Sequence, residues 1–357
     1  MIILRIIALP FLPIYWFVVW LRNLLYDKRI MRSSEFDIPL ISIGNLSVGG
    51  TGKTPHTEYI AKLLAEPYHP AILSRGYGRR DDGFRIIQED DSYTSTGDEP
   101  LQMKRKLGDK VVSAVNGNRV KGVILTLYEH EEVDVVLLDD AFQHRAITPG
   151  YSILLTTWKR PFWKDFPLPL GDLREFRFGA KRADMVVVTK CPDGLTADQK
   201  EATKERIRRH TNAPVFFSSY AYGSLRTVAD HTPVDVPLEK LKNVVLVTGI
   251  ANAENLKAYI ASKTQLVEHL EYRDHYRFKA RDIQRVRKIF DNFAKGKIAL
   301  ITTEKDAIRL RETPEFETLP DACYFIPIEV KFGDDKTGFD KEVIDYVGKH
   351  QGNHLLS

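Results

Sequence analysis

Gly49-Gly50-Thr51-Gly52-Lys53-Thr54-Pro55 places three glycines, a lysine and a hydroxyl within seven positions. Glycines let successive backbone N–H groups turn toward one point, and a lysine and threonine at the end of such a loop reach phosphate oxygens and a divalent cation. The chemistry is polyphosphate binding. The cradle is expected to run through Ser47, Val48, Gly49, Gly50, Thr51, Gly52, Lys53 and Thr54, with Lys53 on the outer phosphates and Thr54 on magnesium. Ser47 stands where the usual pattern has its first glycine. A flexible Gly-Ser linker is the plain alternative, but a linker needs no Gly-Lys-Thr and no flanking strand and helix.

Other residues have the type and place to join that chemistry. Val133 to Asp140 reads as a buried strand with Asp139 and Asp140 at its carboxyl end. In phosphate-loop enzymes such an Asp lies beside the loop and holds magnesium, and ligands of open α/β sheets bind at this edge. Gln143, His144 and Arg145 continue from the same edge. Ser74-Arg75-Gly76-Tyr77-Gly78-Arg79-Arg80 carries arginines that can fork onto a phosphate and a tyrosine that can stack on a sugar; a solvated basic loop is the alternative. Asp98, in Thr96-Gly97-Asp98-Glu99-Pro100, stands at a turn entering a helix around 101–107, where an Asp is by default an N-cap. His275 lies in the polar-aromatic run 271–278 as a general base or a surface residue, and its neighbours alone favour the surface.

The elements that must position these groups alternate. Leu40 to Ile43 precedes the loop as a short strand, and a run with Tyr59, Ile60, Leu63 and Leu64 on one face follows it as a helix. Strands are expected at 71–73, 111–115, 133–140, 152–156 and 185–190, with a helix over 120–128. This alternation implies a doubly wound parallel sheet. The aromatic, proline-rich stretch 158–170 is an ordered loop, packed on the core or dipped into a membrane surface. Beyond about 215 the pattern restarts, with strands at 244–248, 298–302 and 323–328 and a helical stripe at Ile283, Val286, Ile289, Phe290 and Phe293. A second, smaller α/β domain without its own phosphate loop is expected.

With 357 residues, two domains are the natural reading. A net charge of +4 on this length is small and does not suggest nucleic-acid binding, which calls for a concentrated basic stripe. Cys191 and Cys323 are far apart and lack metal-ligand spacing, which fits a reducing compartment. Ile6 to Leu21 carries no charge and holds Phe11, Tyr15, Trp16, Phe17 and Trp20, with Arg22, Lys28, Arg29 and Arg32 after it. Sixteen residues are slightly short of the ~20 that span a bilayer, and Pro10 and Pro13 would kink a helix. A membrane anchor, spanning or lying in the interface, is favoured over a buried core helix, with the basic cluster holding the rest on the cytoplasmic side.

Six motifs stand in order behind that segment: Gly-Gly-Thr-Gly-Lys-Thr-Pro at 49–55, Ser-Arg-Gly-Tyr-Gly at 74–78, Gly-Asp-Glu-Pro at 97–100, Asp-Asp-Ala-Phe-Gln-His at 139–144, Leu-Arg-Glu at 173–175 and Asp-His-Tyr-Arg-Phe at 274–278. Together they resemble the tetraacyldisaccharide 4'-kinases of lipid A biosynthesis, from the anchor to about position 330. The resemblance implies ATP-dependent phosphorylation of the 4'-hydroxyl of a tetraacylated glucosamine disaccharide 1-phosphate. It implies ATP and Mg2+ as cofactors, a monotopic or single-span enzyme on the cytoplasmic face of the inner membrane, and two α/β/α domains joined by a two-stranded linker. A monomer is expected. Residue by residue, it puts the catalytic Asp on Asp98 and its His partner on His275, against both plain readings above. Asp139, Asp140, Gln143, His144 and Glu175 fall in the magnesium and phosphate-positioning shell. Tyr77, Arg79, Arg119 and His144 become candidates for the sugar phosphate or headgroup. The expected division is 1–30 anchor, 31–220 phosphate-loop core, 221–335 second domain with linker, and 336–357 C-terminal helix or tail. The rival reading is a membrane-associated GTPase or ATPase switch: Val188 to Asp193 and Glu304-Lys305-Asp306 echo the guanine-reading Asn-Lys-x-Asp, but neither has the Asn.

Overall fold

The computed structural model describes residues 12–294 and 296–354. In chain order the strands and α-helices are α1 (Leu12–Asp27), β1 (Leu40–Asn45), α2 (Lys53–Leu64), β2 (Pro70–Ser74), β3 (Arg85–Ile86), α3 (Tyr93–Thr96), α4 (Asp98–Leu107), β4 (Val112–Val115), α5 (Arg119–Glu129), β5 (Val135–Asp139), β6 (Tyr151–Thr157), β7 (Met185–Thr189), α6 (Ala197–Arg208), β8 (Val215–Phe217) and β9 (Ser219–Tyr222). They continue with β10 (Arg226–Thr227), β11 (Asn243–Thr248), α7 (Glu254–Lys263), β12 (Gln265–Glu271), α8 (Ala280–Phe290), β13 (Ala299–Thr303), α9 (Glu304–Arg311), β14 (Cys323–Ile326), β15 (Ile328–Lys331) and α10 (Lys336–His354).

The first sheet has eight strands in the order β3-β4-β2-β5-β1-β6-β7-β8, parallel except for β3. Its central strands β1, β2, β5 and β7 are buried at every position, as expected of a parallel sheet covered on both faces. β1 lies between β5 and β6, with Ile43 opposite Asp139 on one side and Asn45 opposite Leu155 on the other. The loop leaving β1 and the carboxylates ending β5 therefore emerge side by side. The second sheet runs β10-β14-β13-β11-β12, with β10 antiparallel. Between the sheets lies an antiparallel ribbon of β9 and β15, pairing Tyr222 with Ile328 and Ser219 with Lys331.

Elements absent from the sequence reading include the strand at 265–271 and the helix at 304–311, the latter because five of its eight residues are charged. The C-terminal stretch forms the helix α10, whose Phe339, Val343 and Val347 share one core with Ile60, Leu64 and Ile153 of the first domain. Of the anchor, residues 1–11 lie outside the described part. Its described part, α1, turns Ile14 (62% exposed), Phe17 and Val18 outward and buries only Asn23. No helix among the described residues is long and apolar enough to cross a membrane.

Candidate active site

The phosphate loop starts where β1 ends. Gly49 (φ 107°) and Gly52 (φ 92°) lie in the left-handed region that favours glycine. At Gly52 an added Cβ would fall 1.6 Å from the Tyr220 hydroxyl of β9, so this position excludes a side chain twice over. The loop is braced from outside: Val48 N–H donates to the Asp172 carbonyl (2.6 Å), Arg174 N–H to the Leu46 carbonyl (2.7 Å), and the Asn45 amide to Thr51 Oγ1 (2.7 Å). Val48, Gly49 and Gly50 stay exposed. Gly52 caps α2 without a side-chain hydrogen bond, and Pro55 in the first turn has no N–H to satisfy. The N–H groups of Lys53 and Thr54 thus lack intrahelical acceptors and, with the helix dipole, face a would-be anion.

Asp139 and Asp140 meet different neighbours. Asp139 is buried and accepts hydrogen bonds from Thr57 Oγ1 of α2 and Ser74 Oγ of β2, both at 3.2 Å. Burial first, then the charges of Glu99 and Asp140, push its carboxyl up to about 6. Asp140 (φ 48°) is paired with Lys53 Nζ at 3.6 Å and Arg174 Nη1 at 3.0 Å. No ion pair reaches Asp139 among the described residues. A buried carboxylate beside two hydroxyls, whose burial outweighs the charges of Lys53 and Arg119, has the oxygen chemistry of a magnesium ligand. Among the described residues no group of three or more His, Cys, Asp or Glu is arranged to hold a metal alone. That agrees with magnesium's habit of taking one or two carboxylates and filling the remainder with substrate phosphate and water.

The second cluster spans the two domains. Asp98 is the first helical residue of α4; the cap is Gly97, so the N-cap reading is off by one. Its Oδ2 accepts from His275 Nδ1 at 3.2 Å. His275 stands after β12, held at φ 56° with its own N–H donating to the Gly249 carbonyl, and Tyr77 packs edge-on against its ring. Lys305 Nζ of α9 donates to His275 Nε2 (3.0 Å), which places the imidazole proton on Nδ1. Lys305 also pairs with Glu99 at 3.0 Å, and Arg309 Nε lies 3.7 Å from Asp98. Burial would raise the Asp98 carboxyl, but the His275 hydrogen bond and the charges of Lys305 and Arg309 outweigh it and hold it down at about 2.

The remaining expected site residues divide. Tyr77 is exposed beside His275, and Arg79 is partly exposed with its guanidinium donating to the Gly83 carbonyl. His144 is half-buried, and burial with Arg119, Arg75 and Arg22 lowers it to about 4, so it is neutral near pH 7. Arg119 requires correction as a substrate contact. It is fully buried and donates to the carbonyls of Asn116 and Asp139, which makes it a prop behind β5. Gln143 and Glu175 require correction as metal ligands. The Gln143 amide donates to the Asn45 carbonyl and to Glu175, and both Glu175 oxygens are taken, by Asn23, Gln143 and Arg182.

Sequence reasoning missed Lys305, Arg309 and Tyr220. The four-residue spacing of two cations on one short helix after a buried strand was the available signal for the first pair. Nothing local marks Tyr220, whose buried hydroxyl has no partner among the described residues.

Comparison with known proteins bears on the family and the fold. The family model described as tetraacyldisaccharide-1-P 4'-kinase matches residues 4–347. The tetraacyldisaccharide 4'-kinase of Phocaeicola vulgatus is 40% identical over 354 residues, covering 97% of this chain and 96% of its own length. That of Bacteroides thetaiotaomicron is 41% identical over 357 residues, covering 96% and 93%. A crystal structure of LpxK from Aquifex aeolicus in complex with ATP superposes with a TM-score of 0.73 at 29% identity, covering 96% of this chain and 99% of that one.

Proposed function

This chain belongs to the tetraacyldisaccharide-1-P 4'-kinase family, and on that premise we propose that it uses ATP to phosphorylate the 4'-hydroxyl of a tetraacylated glucosamine disaccharide 1-phosphate. The observation that carries the reading is the Asp98–His275 pair, closed between the two domains.

Phosphoryl transfer asks for positioning and charge neutralisation more than covalent chemistry. Lys53 and the N–H groups heading α2 hold the outer phosphates of ATP. Asp139 and Thr54 are the groups that would hold a magnesium ion, which when bound neutralises charge on the transferring group. Asp98 faces the acceptor hydroxyl as its proton acceptor. A carboxylate held at about 2 is a weak base, so it takes the proton late, once the forming O–P bond has acidified the hydroxyl. His275 fixes the direction of that carboxylate, and Lys305 fixes His275. Because Asp98 and His275 come from different domains, the acceptor site is complete only when the seam is closed, which also excludes water from ATP.

The lipid acceptor calls for an interfacial enzyme. α1 exposes Ile14, Phe17, Val18 and Trp20, its Trp16 packs edge-on against Phe176, which stacks on the exposed Phe178, and the cationic Lys28, Arg29 and Arg32 follow α1. This face rests on the cytoplasmic side of the inner membrane, and a monomer is the working unit. The test is labelled ATP with the disaccharide 1-phosphate lipid in detergent micelles. The expected product is the labelled bisphosphate lipid. ATP or GTP turnover with no label on lipid would overturn the reading in favour of a nucleotide switch.

A further inference from the structure

α1 buries a single side chain, and it is polar. Asn23 is 2% exposed and its amide donates to Glu175 Oε2 at 3.0 Å. Burying an amide is costly unless it is hydrogen-bonded, so this contact fixes the helix to one place on the core. From Glu175 the bonds continue without a gap. Glu175 Oε1 accepts from Gln143 Nε2 at 3.1 Å and Arg182 Nη2 at 2.7 Å. Gln143 donates to the Asn45 carbonyl, the last residue of β1, at 2.7 Å, and its Oε1 accepts from Arg174 at 3.4 Å. Arg174 holds Asp140, and Asp140 lies against Lys53. Three more bonds pin α1 to this same segment: Tyr15 to the Arg174 carbonyl, Trp16 to the Leu168 carbonyl and Arg22 to the Gln143 carbonyl.

We infer that Asn23 is a positioning residue for ATP, through which the membrane-facing helix sets the Lys53–Asp140 geometry of the phosphate loop. The helix is a wall of the nucleotide site as well as a tether. This rests on the kinase reading above, but its test reads ATP binding separately from lipid phosphorylation. The full chain in detergent micelles is titrated with ATP and Mg2+ by calorimetry, and KM for ATP and for the disaccharide lipid are measured in parallel. Asn23→Asp sets a carboxylate against Glu175; its ATP affinity is expected to fall about tenfold, with lipid KM and sedimentation with phospholipid vesicles unchanged. Adding Glu175→Gln to that chain reverses the hydrogen bond. The new amide at position 175 can donate to the new carboxylate at position 23, while its oxygen still accepts from Gln143 and Arg182. That double variant is expected to recover ATP affinity to within about twofold.

Wild-type ATP affinity in Asn23→Asp, or a double variant as weak as the single one, would overturn the inference. Should Asn23→Asp not fold, as judged by its melting curve, Asn23→Ser takes its place with the same expectation of weakened ATP binding, and unchanged affinity there would equally overturn it. A wild-type chain that binds ATP but labels no lipid would sink the kinase reading and leave this one standing.

Discussion

Asp98 and Asp139 are both nearly sealed from solvent, yet they occupy opposite electrostatic conditions. At the domain seam, Asp98 is met by His275, Lys305 and Arg309, all from the second domain, and ionises readily. At the sheet edge, Asp139 has two hydroxyls and an anionic neighbour in Asp140, and the charges of Lys53 and Arg119 do not offset its burial. One carboxylate is supplied with positive charge by the protein. The other is left short of it, in the place where a nucleotide would bring its own counterion. A buried charge that the fold does not neutralise is a better marker of a ligand than one that it does.

The largest way to break this contrast is at the seam. His275→Ala is expected to lower kcat roughly a hundred- to a thousandfold with ATP affinity near wild type, read by single-turnover labelling of the lipid. An equal loss in ATP affinity would place His275 in nucleotide binding instead. Asp139→Asn sharpens the other half. Asp139 has its folded pKa raised from 3.8 to about 6, so ionising it disfavours the fold: stability without ligand falls as pH rises through that window. The asparagine variant should lose that slope, gain about 3 kcal/mol without ligand at pH 7, and lose most of its magnesium-dependent activity. Thermal melts at pH 4.5 and 7 with and without Mg2+-ATP check both parts. Lys305→Met is the smallest perturbation, expected to cost about tenfold in kcat. It should also shift the Asp98 titration upward from about 2, observed by carboxyl 13C NMR. The stability that Asp98 contributes is present above its unfolded value and lost as pH falls from there toward 2; in this variant the loss is smaller and is complete at a higher pH.

How much of this was legible in the sequence follows from how local each signal is. The phosphate loop and the β5 carboxylates announce themselves because glycine spacing, a lysine and a strand end are neighbours in the chain. Asp98 and His275 do not. By their own neighbours one is a cap and the other a surface residue, and only the ordered set of motifs raised them. Lys305 and Arg309 sit on a helix whose buried face includes Glu304, Asp306 and Arg309, so hydrophobic periodicity misses it. The family resemblance alone puts Glu175 and Gln143 in the magnesium shell. Whether such groups face inward to a ligand or back into the scaffold depends on a partner such as Asn23, 152 residues away.

The return of α10 to the first domain makes the second domain an insertion in it. Tyr59 of α2 packs edge-on against Phe332 and Phe339 and donates to Asp340, so the layer behind the phosphate loop uses residues from both sides of the inserted domain. On the ribosome the inserted domain emerges whole while its host still lacks part of its interior. The nucleotide site therefore becomes sound only once α10 has been made, and a chain stopped short of α10 would carry a complete phosphate-loop sequence with no settled core beneath it.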